Sequence, residues 1–175
     1  PLPLSEIVAD ISARCGLDAA SEYNVTALIP LVPGYLITRQ SPGRDNIMQL
    51  RTAYFFDAVE SSGSLRFVKR GGPSLITIAD NDLAAQPGGA GMPPPLVTVR
   101  RAQEMDLPAT MWVTYLNPEA DYQTSTQYSR RLVTQSQANA RVDLAIALLD
   151  ATGRYISSTL LFTTWYERTA LLALT

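Results

Sequence analysis

Between Gly34 and Gly72 the chain reads GYLITRQSPGRDNIMQLRTAYFFDAVESSGSLRFVKRGG, and this run limits the fold more than any other. Tyr35-Leu36-Ile37-Thr38 is apolar and β-branched enough for a strand. Ser41-Pro42 then offers an N-cap hydroxyl followed by proline at the first helical position, where its missing N–H costs nothing. Ile47, Leu50, Ala53 and Tyr54 recur at helical spacing and give that helix one apolar face. Phe56 to Val59 and Leu65 to Val68 flank the polar turn Glu60-Ser61-Ser62-Gly63-Ser64, which predicts a β-hairpin. The unit holds no phosphate loop, no pair of metal ligands and no nucleophile beside a base. It reads as an architectural module.

The same patterning extends outward. Leu4, Ile7, Val8 and Ile11 form one helical stripe that Cys15 continues, with Ser5 as N-cap, Gly16 as the left-handed stop and Leu17 as its hydrophobic partner. Tyr23 to Leu31 fits a short helical turn ended by Pro30 and Pro33. Leu75 to Ala79 suggests a short strand, and Asp80-Asn81-Asp82-Leu83 a turn or helix start. Gln86 to Pro95, QPGGAGMPPP, has no charge and no periodicity, so it reads as a linker. It divides the chain into a helix and strand–helix–hairpin module (residues 1–85) and a mainly β module (residues 96–175). In the second, Leu96 to Met105 alternates weakly and Thr110 to Leu116 is a convincing strand. Asn117-Pro118 breaks that strand, and Tyr122 to Leu132 and Arg141 to Leu148 could pair as further strands. Tyr155 to Tyr166 carries both helical spacing and β-branched residues; its length favours a helix, followed by a strand in Thr169 to Thr175. The expected fold class is α+β. A small helix-plus-antiparallel-hairpin module precedes a partly open, barrel-like β module with one late helix.

Composition bounds the partners. The 175 residues can bury a real core, and 46% are apolar. Only 17% are charged, against about 25% in typical soluble domains, which hints at a surface covered by partners. A net charge of −2 argues against broad electrostatic binding to nucleic acid. The single cysteine, Cys15, excludes an internal disulfide and is expected as a small buried hydrophobe. No apolar run is long enough to span a membrane, and no secretory leader is visible at Pro1-Leu2-Pro3-Leu4. With no initiator methionine and an apolar end at TALLALT, the sequence is expected to be a piece of a longer polypeptide, its second module incomplete at the C-terminus.

The chain has no histidine. That removes the commonest general base and metal ligand, every Ser-His or Cys-His arrangement and, with one cysteine, any ordinary zinc site. No catalytic, cofactor or metal residue is therefore assigned. Asp80 with Asp82, and Glu119 with Asp121, read as solvated turns rather than catalytic or calcium-binding pairs, since neither continues into a calcium-loop pattern. The glycines at Gly71-Gly72 and Gly88 to Gly91 lack a phosphate-loop signature. Basic residues gather at Arg66, Lys69 and Arg70, at Arg100-Arg101 and at Arg130-Arg131, and suit a solvated surface or a subunit contact. Tyrosine and arginine are typical of protein interfaces. Trp112, Tyr115, Tyr122, Tyr128, Arg130 and Arg131 are accordingly the candidate interface, and Trp165 a core or interface aromatic.

Four stretches, in order, carry a resemblance: LSEIVADISARCGL, GYLITRQSPGRDNIMQL, FFDAVESSGSLRFVKRGG, and VTYLNPEADYQ followed by RRL. Together they resemble the Putative phage tail protein family, found in the large tail-tip or baseplate hub proteins of siphophages and gene transfer agents. The likeness runs from Leu4 to the C-terminus, and its motifs are structural. Pro30, Pro33 and the β-branched stretch within Tyr155 to Thr164 depart from the pattern. The resemblance implies a segment of a hub built as a threefold ring, made in the bacterial cytoplasm and placed in the tail of a virion or phage-like particle. Its partners would be other copies of itself and other tail-tip and tail-tube proteins, with no specific nucleic-acid binding, no membrane span and no cofactor.

Two other functions compete. A carbohydrate- or receptor-binding module would use Trp112, Tyr115 and Tyr122 as a stacking surface. A histidine-free enzyme working through carboxylates ranks last, and the chain is read as no enzyme.

Overall fold

The computed structural model describes residues 1–73, 76–79, 97–100, 102–166 and 169–172. In chain order the elements are β1 (Leu2–Pro3), α1 (Leu4–Arg14), β2 (Tyr23–Asn24), β3 (Leu31–Val32), β4 (Gly34–Tyr35), α2 (Gly43–Tyr54), β5 (Phe56–Ser61) and β6 (Ser64–Lys69). Then come β7 (Val97–Arg100), β8 (Thr110–Asn117), β9 (Gln123–Arg130), β10 (Asn139–Ala147), α3 (Asp150–Tyr166) and β11 (Thr169–Leu172). The fold is α+β, as its patterning indicates. The segment expected as a linker and the Asp80 to Leu83 turn lie outside the described residues, as does Leu75. Residues 76–79 form no strand.

Both early helices form where the apolar stripes place them, but neither begins with its expected cap. Leu4 already lies in α1, and its N–H donates to the Pro30 carbonyl at 2.8 Å, so backbone just ahead of β3 does the work assigned to Ser5. The other end follows the sequence closely. Gly16 is left-handed (φ 88°), its N–H donates to Ala13 O at 2.9 Å, and the Leu17 N–H reaches Ser12 O at 3.2 Å, a Schellman stop. Cys15 is exposed, contrary to expectation. The helix has ended before it, and Ser12 takes the buried place on the stripe with its hydroxyl donating to Val8 O at 2.8 Å. In α2, Pro42 stands in extended geometry one residue before the helix, and its carbonyl accepts from the Asp45 N–H at 3.0 Å. Ser41 makes no cap; its hydroxyl donates to Asn46 Oδ1 at 2.9 Å.

Tyr23 to Leu31 forms no helix. Asn24 Oδ1 accepts from the Thr26 N–H at 3.0 Å, a local turn that competes with helical bonding. Tyr23 and Asn24 pair in parallel with Leu65 and Arg66, while Leu31 and Val32 pair with Pro3 and Leu2. β5 and β6 make the expected hairpin with a tighter turn. Ser61 pairs with Ser64, and Ser62-Gly63 turn at φ 55° and 72°, the two left-handed residues of a type I′ loop.

The main sheet runs β4-β10-β8-β9. β9 and β10, both expected as strands, flank β8, antiparallel on one side and parallel on the other. The sheet is thus open, and its outer strand β4 comes from the first part of the chain. Only Gly34 and Tyr35 pair with β10; Leu36 adds one bond, N–H to Ala145 O at 2.9 Å, before the chain leaves the sheet. The strand expected through Thr38 is therefore short. β7 and β11 form a separate antiparallel ribbon.

Helix α3 begins at Asp150, earlier than its stripe suggests, and packs across β8 and β9. The main core joins Leu4, Val8 and Ile11 of α1, Leu50 and Ala53 of α2, and Phe56 and Phe67 of the hairpin to Val113, Tyr115, Leu144, Ile146 and Ile156. Residues from both sides of the Gly/Pro stretch share it. A smaller cluster of Leu107, Met111, Leu161 and Trp165 seals the other end of α3.

Candidate interface on the open face of the main sheet

Alternation along β8 sends Met111, Val113 and Tyr115 to the core and Thr110, Trp112, Thr114 and Leu116 to the opposite face. Register then dictates what surrounds Trp112. Tyr128 lies opposite it on β9 and Arg141 beside it on β10. The next row is Asp143, Thr114 and Thr126; the row on the other side is Asn139, Thr110 and Arg130. The Trp112 and Tyr128 rings lie 4.6 Å apart, tilted by 35°. Trp112 is 37% exposed and Tyr128 54%. This is an aromatic pair set in a polar, charged field. Arg141 Nε holds Asp143 at 2.9 Å, and that contact, with a smaller contribution from Thr114, keeps the Asp143 carboxyl below its ordinary range.

The six candidate residues do not form one patch. Trp112, Tyr128 and Arg130 share the open face. Tyr122 stands 60% exposed where β9 begins, lining a shallow cleft of about 350 Å³ with Leu116, Ala147, Gly34, Tyr35 and Leu36. Tyr115 is 1% exposed and belongs to the core; its hydroxyl donates to Asp150 Oδ1, and burial first, then that carboxylate, pushes its pKa to about 12. Arg131 turns away from the face, its guanidinium 4.2 Å over the Trp165 ring. The Trp165 indole in turn donates to Pro108 O at 2.8 Å. Arg141, Asp143 and Asn139 were not legible as neighbours of Trp112, because nothing in their sequence announces parallel pairing between β8 and β10.

The motif YLNPEADYQ covers the end of β8, the five-residue connection that follows and the first residue of β9. Asn117 Oδ1 accepts from the Glu119 N–H at 2.9 Å, its amide donates to Asp150 Oδ1 at 2.9 Å, and the Tyr122 N–H closes onto Asn117 O at 2.8 Å. Asp121 and Tyr122 both take left-handed backbone, with φ of 50° and 59°. Glu119 and Asp121 are exposed turn residues. A cleft beside α1 carries Glu6 and Asp10, but it is wide open and Asp10 is ion-paired with Arg14 at 2.7 Å. Among the described residues no group of three or more His, Cys, Asp or Glu side chains could hold a metal ion, and no helix is long and apolar enough to cross a membrane.

Comparison with known proteins places this architecture. A chain of the virion of a native gene transfer agent (GTA) particle superposes with a TM-score of 0.84 and 30% sequence identity, over 96% of the present chain. The present chain spans 37% of the length of that virion chain. No curated protein matches. The family model described as "Putative phage tail protein" matches residues 42–175. That match takes in α2, the hairpin, strands β8 to β10 and α3, so the chain belongs to the Putative phage tail protein family.

Proposed function

We propose that this chain is a structural segment of a tail-tip or baseplate hub in a phage, prophage or gene transfer agent particle. Copies of it form part of a threefold ring that joins the tail tube to distal host-contact parts. The observation that carries this reading is the likeness to a virion chain of a GTA particle across nearly the whole fold. The open face supports it, since exposed tryptophan, tyrosine and arginine in one cluster are the residue types that dominate protein–protein contacts. The work is architectural rather than catalytic, with the described carboxylates exposed or ion-paired. A carbohydrate-binding role is the weaker reading, because Tyr115 is buried and Tyr122 stands apart from Trp112.

Cryo-electron microscopy of the parent particle tests the proposal. The density of this fold is expected as a ring where the tail tube meets the tip; finding it elsewhere in the particle, or as an isolated copy, would overturn it.

A further inference from the structure

Two strands of six residues or more stand outermost in their sheets among the described residues: β9 in the main sheet and β5 in the hairpin sheet. Backbone direction on each follows from the hydrogen bonds beside it. The Arg131 N–H donates to Ala109 O at 2.8 Å, while the Thr110 N–H turns the other way toward Ala138. By alternation the odd residues of β9 bond to β8, and the N–H and C=O groups of Thr124, Thr126, Tyr128 and Arg130 point outward. In β5, Ser61 and Ser64 close the two-residue turn and Arg70 N–H meets Phe55 O at 2.8 Å, so the odd residues face β6. The backbone of Ala58 and Glu60 points outward.

The edge of β9 carries little of the usual protection. β9 keeps one unbroken register over its whole length, with no bulge, no proline and no lysine. Its side chains are polar and its one charged residue is Arg130; β5 carries Glu60, exposed, and Asp57, which Arg51 and Arg70 already hold. We propose that copies of this chain join by strand pairing, the outer edge of β9 in one copy against the outer edge of β5 in the next. The partner is a second copy because one chain supplies two open edges on different sheets, one carrying Arg130 and the other Glu60. Such a contact is heterologous: each copy uses a different surface toward each neighbour, which is the kind of contact that a closed ring is built from. This inference rests on the ring reading above and names the surfaces that would build it.

The test is the association state of the chain and of edge variants, read by light scattering on a sizing column. Thr126→Pro removes one outward N–H that faces no strand among the described residues, so helix and strand content by circular dichroism should hold while the oligomer is lost. Arg130→Glu and Glu60→Arg should each weaken association, roughly tenfold for one lost charge pair, and the double variant should restore it. An oligomer that survives Thr126→Pro, or charge variants that show no mutual rescue, overturns the edge pairing and leaves the ring standing. A chain that stays monomeric up to its solubility limit overturns both.

Discussion

Tyr115 and Gly153 show how little room the chain leaves at its main junction. A Cβ placed on Gly153 would lie 2.4 Å from the Tyr115 ring, so α3 can approach β8 only because that position has no side chain. Gly153→Ala is expected to cost about 2–3 kcal/mol through overpacking, measured as a lower urea midpoint. Asp57 makes a different kind of contribution. Its carboxylate is held by Arg70 at 2.6 Å and by Arg51 from α2, and these bonds, Arg70 foremost, depress its pKa from 3.8 to about 2. A group depressed on folding stabilises the fold above its unfolded pKa and loses that contribution as pH falls through the folded value. The loss should therefore run from about pH 4 down to about pH 2. Solvent reaches the cluster, which limits the effect to on the order of 1 kcal/mol. Asp57→Asn should flatten that part of the stability profile, and an unchanged profile would contradict the assignment.

Elements were legible wherever the pattern was local. The stripes of α1 and α2, the Schellman stop at Gly16 and the hairpin around Ser62-Gly63 all follow from neighbours a few residues apart. The strand at Thr110 and the helix through Tyr166 were equally readable, although the β-branched residues of α3 blurred its start. Caps failed because their partners are distant or displaced: Pro30 serves Leu4, and Pro42 replaces Ser41. Ser41→Ala should accordingly cost under about 1 kcal/mol, below the usual effect of a lost N-cap, as read from the thermal midpoint. Strand order was hidden for the same reason. Nothing near β10 says that it will lie parallel to β8, so the row Arg141, Trp112, Tyr128 could not be assembled from the sequence. Half of the candidate interface was visible as residue types; its grouping was not.

At the scale of the whole molecule the Gly/Pro stretch marks a change of composition, yet the core draws on both sides of it. Leu50 and Phe56 pack in the same cluster as Tyr115 and Ile146. Residues 96–175 produced alone are thus expected to show no cooperative thermal transition, whereas the full chain should melt in one step by calorimetry. Two separable transitions would mean that each part folds by itself. The short pairing of Gly34 and Tyr35 with Ala147 and Ile146 carries a further consequence. During synthesis these two early residues have no strand to join until Ile146 and Ala147 have emerged, so the main sheet is completed backwards, by a segment made more than a hundred residues earlier. Until β4 docks, the edge of β10 is uncovered, and the order of events on the ribosome sets the interval in which a nascent copy is open there to the wrong neighbour.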